Sequence, residues 1–275
     1  MNDINPTERN AVFSRLVGNN LARARVYLAR ALIRRRIRPN VLTAIGLLAT
    51  LAGSIFLVLG GGDKIGNSSN QGHSWYGFWA GMVLIFANAF DILDGAVARG
   101  GNQTTKLGGF VDSCCDRISD GMIFIAICIY YLRYRDAPHR EVFVVLSIVA
   151  LLNAELISYV KARAENFVPY CGVGYWQRGE RVAAILIGLF AGHTGTVLGM
   201  LAVLGAFTVL RRMLFARKQI LRLDTGQPPL NPHAPLTGIM RLALWRYRRG
   251  TLQYDLITAA LIAVIIFVDL QKQFV

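Results

Sequence analysis

The chain has 275 residues, 54% of them hydrophobic, and a mean hydropathy of +0.41, which is too apolar for an ordinary soluble domain and long enough for several membrane spans. A formal net charge of +14 with a pI near 10.2 would suit nucleic acid, but no zinc-ligand spacing or RNA-binding motif accompanies it and the arginines flank apolar runs, so the expected partner is an anionic lipid bilayer and not nucleic acid. His73, His139, His193 and His233 lie one per segment, which argues against a histidine metal site, and Cys114, Cys115, Cys128 and Cys171 lack metal-ligand or redox spacing and read as packing residues.

Residues 1–39 form an amphipathic juxtamembrane segment. Nine arginines fall within the first forty residues, interleaved over 8–38 with Val12, Phe13, Leu16, Val17, Leu21, Val26, Leu28, Leu32 and Ile33, a pattern suited to a helix lying in the membrane interface. No uninterrupted apolar stretch occurs before Val41, so this is not read as a cleavable signal; the first span itself directs insertion.

About twenty apolar residues cross some 30 Å of hydrocarbon, and the sequence predicts seven spans, at 41–60, 75–98, 107–132, 141–160, 182–192, 194–212 and 252–270. A His193-Thr194-Gly195 break separates two of these, each short. Two crossings there put Lys161, Arg163, Arg178, Arg181, Arg211, Arg212 and Arg217 on the side of the arginine-rich amino terminus, which is then cytoplasmic. The boundaries read from this pattern are 40–216 for a six-span domain, 217–250 for a basic cytoplasmic linker with a second interfacial helix at 236–249, and 251–275 for an additional transmembrane helix that leaves the carboxyl terminus outside.

The chemistry-bearing stretch begins at the end of the second predicted span: Asp91-Ile-Leu-Asp94-Gly95-Ala96-Val97-Ala98-Arg99, then Gly108, Asp112 and Asp116. Residues three or four apart share a helical face, so Asp91 and Asp94 converge on one helix and Asp112 and Asp116 on the next, with Asp120 one turn further. Each acidic residue inside an apolar span costs about 2.5–3.5 kcal/mol on insertion scales, and facing carboxylates repel one another. Bound cations resolve both problems. All-oxygen ligation favours Mg²⁺ or Mn²⁺ over zinc, and a pair of such ions clamps an in-line displacement at phosphorus. Gly95 and Gly108 leave room where helices and a ligand approach, and Arg99 offers a fork of donors for a phosphate or a base edge.

This string, D-x-x-D-G-x-x-A-R-x8-G-x-x-x-D-x-x-x-D, resembles the motif of the CDP-alcohol phosphatidyltransferases at every fixed position, Ala98 included, and the resemblance extends over roughly residues 39–216. It implies an all-α six-helix membrane bundle, a homodimer, and an active site open to the cytoplasm. It implies that Asp91, Asp94, Asp112 and Asp116 hold two metals, that Asp116 is also the general base, and that Gly95, Arg99, Thr105 and the segment Asn40-Val41-Leu42-Thr43 contact the CDP part of CDP-diacylglycerol. For Asn40 and Thr43, helix capping is an equally good reading.

A narrower resemblance concerns the acceptor. Ile157 to Glu165, followed by Arg178-Gly179-Glu180-Arg181 and by Arg212, is similar to the phosphatidylinositol-phosphate synthase branch, in which a lysine and two arginines, here Lys161, Arg181 and Arg212, bind the phosphate of inositol phosphate. Three cations suit a phosphorylated alcohol and are superfluous for a neutral one. Glycerol 3-phosphate is the nearest alternative acceptor. The loop Cys171–Gln177 and the seventh span depart from the branch pattern. From another class, the aspartates suit an ion path in a transporter or the helices a non-catalytic scaffold, and the basic residues are also what positive-inside topology alone produces.

Overall fold

The structure is a computed structural model that describes residues 12–60, 75–133, 139–230 and 252–270. Among the described residues there are eight helices and no strand: α1 (Val12–Arg34), α2 (Pro39–Leu59), α3 (Trp75–Gly100), α4 (Lys106–Arg133), α5 (Arg140–Ala164), α6 (Arg178–Ala191), α7 (Thr194–Asp224) and α8 (Leu252–Phe267). Four helices are long and apolar enough to cross a membrane, Pro39–Leu59, Tyr76–Gly100, Arg140–Ala164 and Thr194–Asp224. Large apolar side chains point outward along them, as at Leu48, Phe86, Leu152 and Val203, as expected where lipid is the solvent. The chain is an all-helical, multi-pass membrane protein. The other three predicted spans exist as helices but fall short individually: α4 spends its first half on Asp112, Asp116, Arg117 and Asp120, α6 has 14 residues, and the apolar part of α8 is Tyr254–Phe267.

Two compact units emerge, residues 1–134 with 249–261, and residues 135–248 with 262–275. This division cuts through the expected 40–216 domain. The expected boundary at 216 also falls inside α7, which runs to Asp224. No helix breaker intervenes before Gly226, at φ +71, and the prolines at 228 and 229. The second interfacial helix expected at 236–249 lies outside the described residues.

In the first unit α2 packs on α3 through a seam of small residues. Gly46, Thr50 and Gly53 are buried at helical spacing, and a Cβ on Gly53 would sit 2.9 Å from Leu84 Cδ2, one on Gly46 3.3 Å from the Ala87 carbonyl oxygen. Small side chains let the backbones approach where no hydrophobic effect drives association. Arg133, ending α4, donates to the Val58 carbonyl at 3.2 Å near the end of α2. The matching ends make α2 and α4 run the same way, with α3 returning between them. The last turns of α1 pack Ala29, Leu32 and Ile33 against Leu42, Phe90 and Val97, while Arg23, Arg30 and Arg34 stay exposed, as the amphipathic pattern predicts.

In the second unit Asn153 of α5, buried, donates to the carbonyls of Leu201 (3.2 Å) and Ala202 (2.7 Å) on α7, opposite Gly205. The α6–α7 turn closes at Gly192, φ +74. There His193 Nδ1 donates to the Ile265 carbonyl at 2.8 Å and Thr196 Oγ1 to the Val268 carbonyl at 2.6 Å, satisfying carbonyls that the end of α8 leaves open. The connection 165–177 folds onto α7, burying Val168, Cys171 and Val173 against Phe215 and Ala216. Burial pushes the Cys171 thiol up from its ordinary value, which suits its reading as a packing residue. The other three cysteines are free and partly or fully exposed on α4.

Candidate active site

The directions of α2, α3 and α4 bring the start of α2, the end of α3 and the start of α4 to one end of the first unit. At that end Asp91, Asp112 and Asp116 each offer a carboxylate oxygen, and these oxygens lie within 4.8 Å of one another. Asp94, 5% exposed, is outside this triad but beside it, and accepts a 2.6 Å hydrogen bond from Thr43 Oγ1. Asp120 is also buried and also outside the triad. Three convergent carboxylates in a half-buried setting are an oxygen-donor set for a hard divalent cation, and cation charge offsets their mutual repulsion. The residues present fit a divalent metal.

Next to the triad is a cavity of about 190 Å³ lined by Pro39, Asn40, Thr43, Asp94, Gly95, Ala98, Arg99, Gln103, Thr104, Thr105, Gly108, Gly109 and Asp112. Seven of the nine residues expected to contact the CDP part or to leave room for it line this cavity; Val41 and Leu42 do not. Leu42 is 2% exposed in the core with Ala29 and Val97, and Val41 faces outward at 48% exposure. The reason is helical: at 100° per residue only Asn40 and Thr43 of that segment share the cavity face. Asn40 is not the cap of α2, since Arg38 occupies the N-cap position with Pro39 following it. Thr105 is a cap: its Oγ1 accepts from the Gly108 amide at 2.9 Å, fixing the start of α4.

The electrostatics favour an anion beside a cation. Amino termini of two long helices, α2 and α4, border the cavity and bring the positive ends of their dipoles. Arg99 folds back over Gly95, where a Cβ would lie 3.2 Å from its Nη1. Gln103 and Thr104, which sequence reasoning passed over, enter because the α3–α4 connection turns sharply, with Asn102 at φ +52; the only prior signal was its shortness.

Comparison with known proteins decides the family. Residues 36–210 match the CDP-alcohol phosphatidyltransferase family. The chain belongs to that family. As a CDP-alcohol phosphatidyltransferase it is a transferase of phospholipid biosynthesis. It is 32% identical over 215 residues to the phosphatidylinositol phosphate synthase of Corynebacterium glutamicum, covering 75% of this chain and 90% of that one. It is 35% identical over 166 residues to the archaetidylinositol phosphate synthase of Methanothermobacter thermautotrophicus, covering 58% and 80%. Among solved structures it is similar to Mycobacterium tuberculosis phosphatidylinositol phosphate synthase in complex with manganese and citrate, at TM-score 0.58 and 28% identity over 70% of this chain and 88% of that one. The same enzyme with CDP-DAG bound matches at TM-score 0.57 and 28% identity, over 70% and 94%. A divalent metal in a phosphatidyltransferase site therefore agrees with the triad found here.

The basic residues expected to hold the acceptor belong to the second unit. Arg212 is 2% exposed, its Nε donating to the Val173 carbonyl at 2.7 Å and its Nη1 to the Ile157 carbonyl. Arg181 is 3% exposed, with Nη1 donating to the Trp176 carbonyl at 3.2 Å. Lys161 is half-buried at the end of α5. Burial of both arginines distinguishes them from topogenic surface cations, which stay in water. Arg178 and Arg211 are half-buried, and Arg163 is exposed and stacked over Phe167 at 4.9 Å.

Proposed function

We propose that the enzyme transfers a phosphatidyl group from CDP-diacylglycerol to inositol phosphate, giving phosphatidylinositol phosphate and CMP, at a site holding two Mg²⁺ or Mn²⁺ ions. The observation that carries this reading is the three-carboxylate cluster of Asp91, Asp112 and Asp116 beside the cavity that Asn40, Thr43 and Arg99 line.

Asp91, Asp94, Asp112 and Asp116 hold the metals, and Thr43 orients Asp94 through its hydroxyl. When bound, the metals neutralise charge on the pyrophosphate and on the leaving phosphate. Asn40, Gly95, Ala98, Arg99, Thr105 and Gly108 form the nucleotide wall, Arg99 supplying donors to a phosphate or base edge and the glycines the room. Asp116 takes the proton of the acceptor hydroxyl. That oxygen bonds to the phosphorus carrying diacylglycerol, the bond from this phosphorus to the bridging oxygen breaks, and CMP leaves with the electron pair.

Lys161, Arg181 and Arg212 bind the acceptor's phosphate. Their support is the deep burial of both arginines, because a cation withdrawn from water is kept where it meets an anion, and the inositol phosphate relatives point to that acceptor. The enzyme works as a homodimer with six core spans and α8 as a seventh, its active site and amino terminus facing the cytoplasm of a cell whose inner membrane it occupies. The test is CMP release by purified enzyme given CDP-diacylglycerol, Mg²⁺ or Mn²⁺, and one of inositol phosphate, glycerol 3-phosphate, inositol or serine. Release with inositol phosphate is expected. Release only with a non-phosphorylated alcohol would reject the role of the basic trio, and release with glycerol 3-phosphate alone would replace the acceptor.

A further inference from the structure

The connection between α5 and α6 carries a tryptophan that the motif comparison does not use. Trp176 is 2% exposed, and its indole Nε1–H, inaccessible to solvent, has no hydrogen-bond partner among the described residues. An indole N–H is a donor only, and leaving a buried donor unmade is unfavourable by about 1–3 kcal/mol. Such a group persists where something outside the chain accepts from it.

Its surroundings define the missing acceptor. The Trp176 backbone carbonyl holds the guanidinium of Arg181 at 3.2 Å. Three residues earlier, the Val173 carbonyl holds that of Arg212 at 2.7 Å. One short loop therefore fixes two buried cations through its carbonyls and itself carries a buried neutral N–H donor. Tyr175 packs edge-on against the indole, with ring centroids 5.3 Å apart at 88°, and limits its rotation. The group that accepts from two guanidiniums and an N–H together is an oxyanion with several oxygens.

We infer that Trp176 is a specificity-determining residue whose indole N–H donates to a phosphate oxygen of the acceptor, alongside Arg181 and Arg212. This rests on the acceptor reading above, and the residue lies in the loop where this chain departs from the phosphatidylinositol-phosphate synthase pattern.

Trp176→Phe keeps an aromatic ring and removes the donor. Its KM for inositol phosphate should rise roughly 10- to 100-fold, the effect of losing one hydrogen bond to a charged group, while the KM for CDP-diacylglycerol stays unchanged. Trp176→His, which restores an N–H, should recover part of the loss. A second readout needs no turnover: with Trp75, Trp79 and Trp245 replaced by phenylalanine, the emission of Trp176 should shift on adding inositol phosphate or inorganic phosphate in the absence of CDP-diacylglycerol. An unchanged acceptor KM in Trp176→Phe overturns the inference while leaving the acceptor reading intact. If Trp176→Phe does not fold, silent Trp176 emission at saturating acceptor overturns it instead. Wild-type enzyme that ignores inositol phosphate removes the acceptor reading and the inference with it.

Discussion

At the scale of single residues, Thr43 and Asp116 carry different burdens. Thr43 donates at 2.6 Å to an almost fully buried Asp94, so Thr43→Val removes a side-chain donor from that carboxylate without changing its charge. The metal concentration giving half-maximal CMP release should rise roughly tenfold, read by titrating Mn²⁺ against rate; an unchanged midpoint rejects the orienting role. For Asp116→Asn the expectation is loss of turnover by about 100- to 10,000-fold, with CDP binding by calorimetry retained. The convergence of Asp91, Asp112 and Asp116 was legible because a fixed spacing and an acidic stripe in an apolar helix are both visible in letters. Val41 and Leu42 lie off the cavity: a run of adjacent letters was carried over whole, whereas a helix sends neighbours to different faces. Thr43's bond to Asp94 joins residues 51 apart, and no local pattern announces a contact of that range.

At the scale of elements, the helices were legible where apolar length alone decides, as in α2, α3 and α5. The end of α7 was not, because the charged residues after 212 suggested a cytoplasmic linker while helix propensity continued to Gly226. What buries that extension, the loop with Val168, Cys171 and Val173, comes from a distant segment. Asn153 illustrates the same limit: a polar residue in an apolar span reads as an interhelical contact, but its acceptors on α7 needed coordinates. The α2–α3 seam makes a direct forecast. Gly53→Val drives a side chain into Leu84, and overpacking of this kind destabilises by about 1–3 kcal/mol. A lowered unfolding temperature in detergent is expected; a neutral result would mean that Leu84 yields without strain.

At the scale of the whole molecule, orientation follows from charge and polarity. The arginine-rich α1 lies at the same end of its unit as the carboxylate triad, and the proposed cytoplasmic orientation of the site rests on that charge through the positive-inside rule. The same proposed topology makes the α6–α7 turn, tied to the end of α8 by His193 and Thr196, extracytoplasmic. Single cysteines introduced at His193 and at Arg217 in a background lacking the native four should label with an impermeant maleimide from outside and from inside respectively. Reversal of that pattern would overturn the topology while leaving the triad untouched.

The most direct measurement is the initial rate of CMP release from CDP-diacylglycerol and inositol phosphate as Mn²⁺ is returned to chelator-treated enzyme. If carboxylates from α3 and α4 assemble a metal-dependent phosphatidyltransferase, the rate is at background without metal, rises to saturation, and fails to rise when Asp91 and Asp112 are both changed to asparagine. A full rate in chelator, or one that survives the double substitution, would contradict the account.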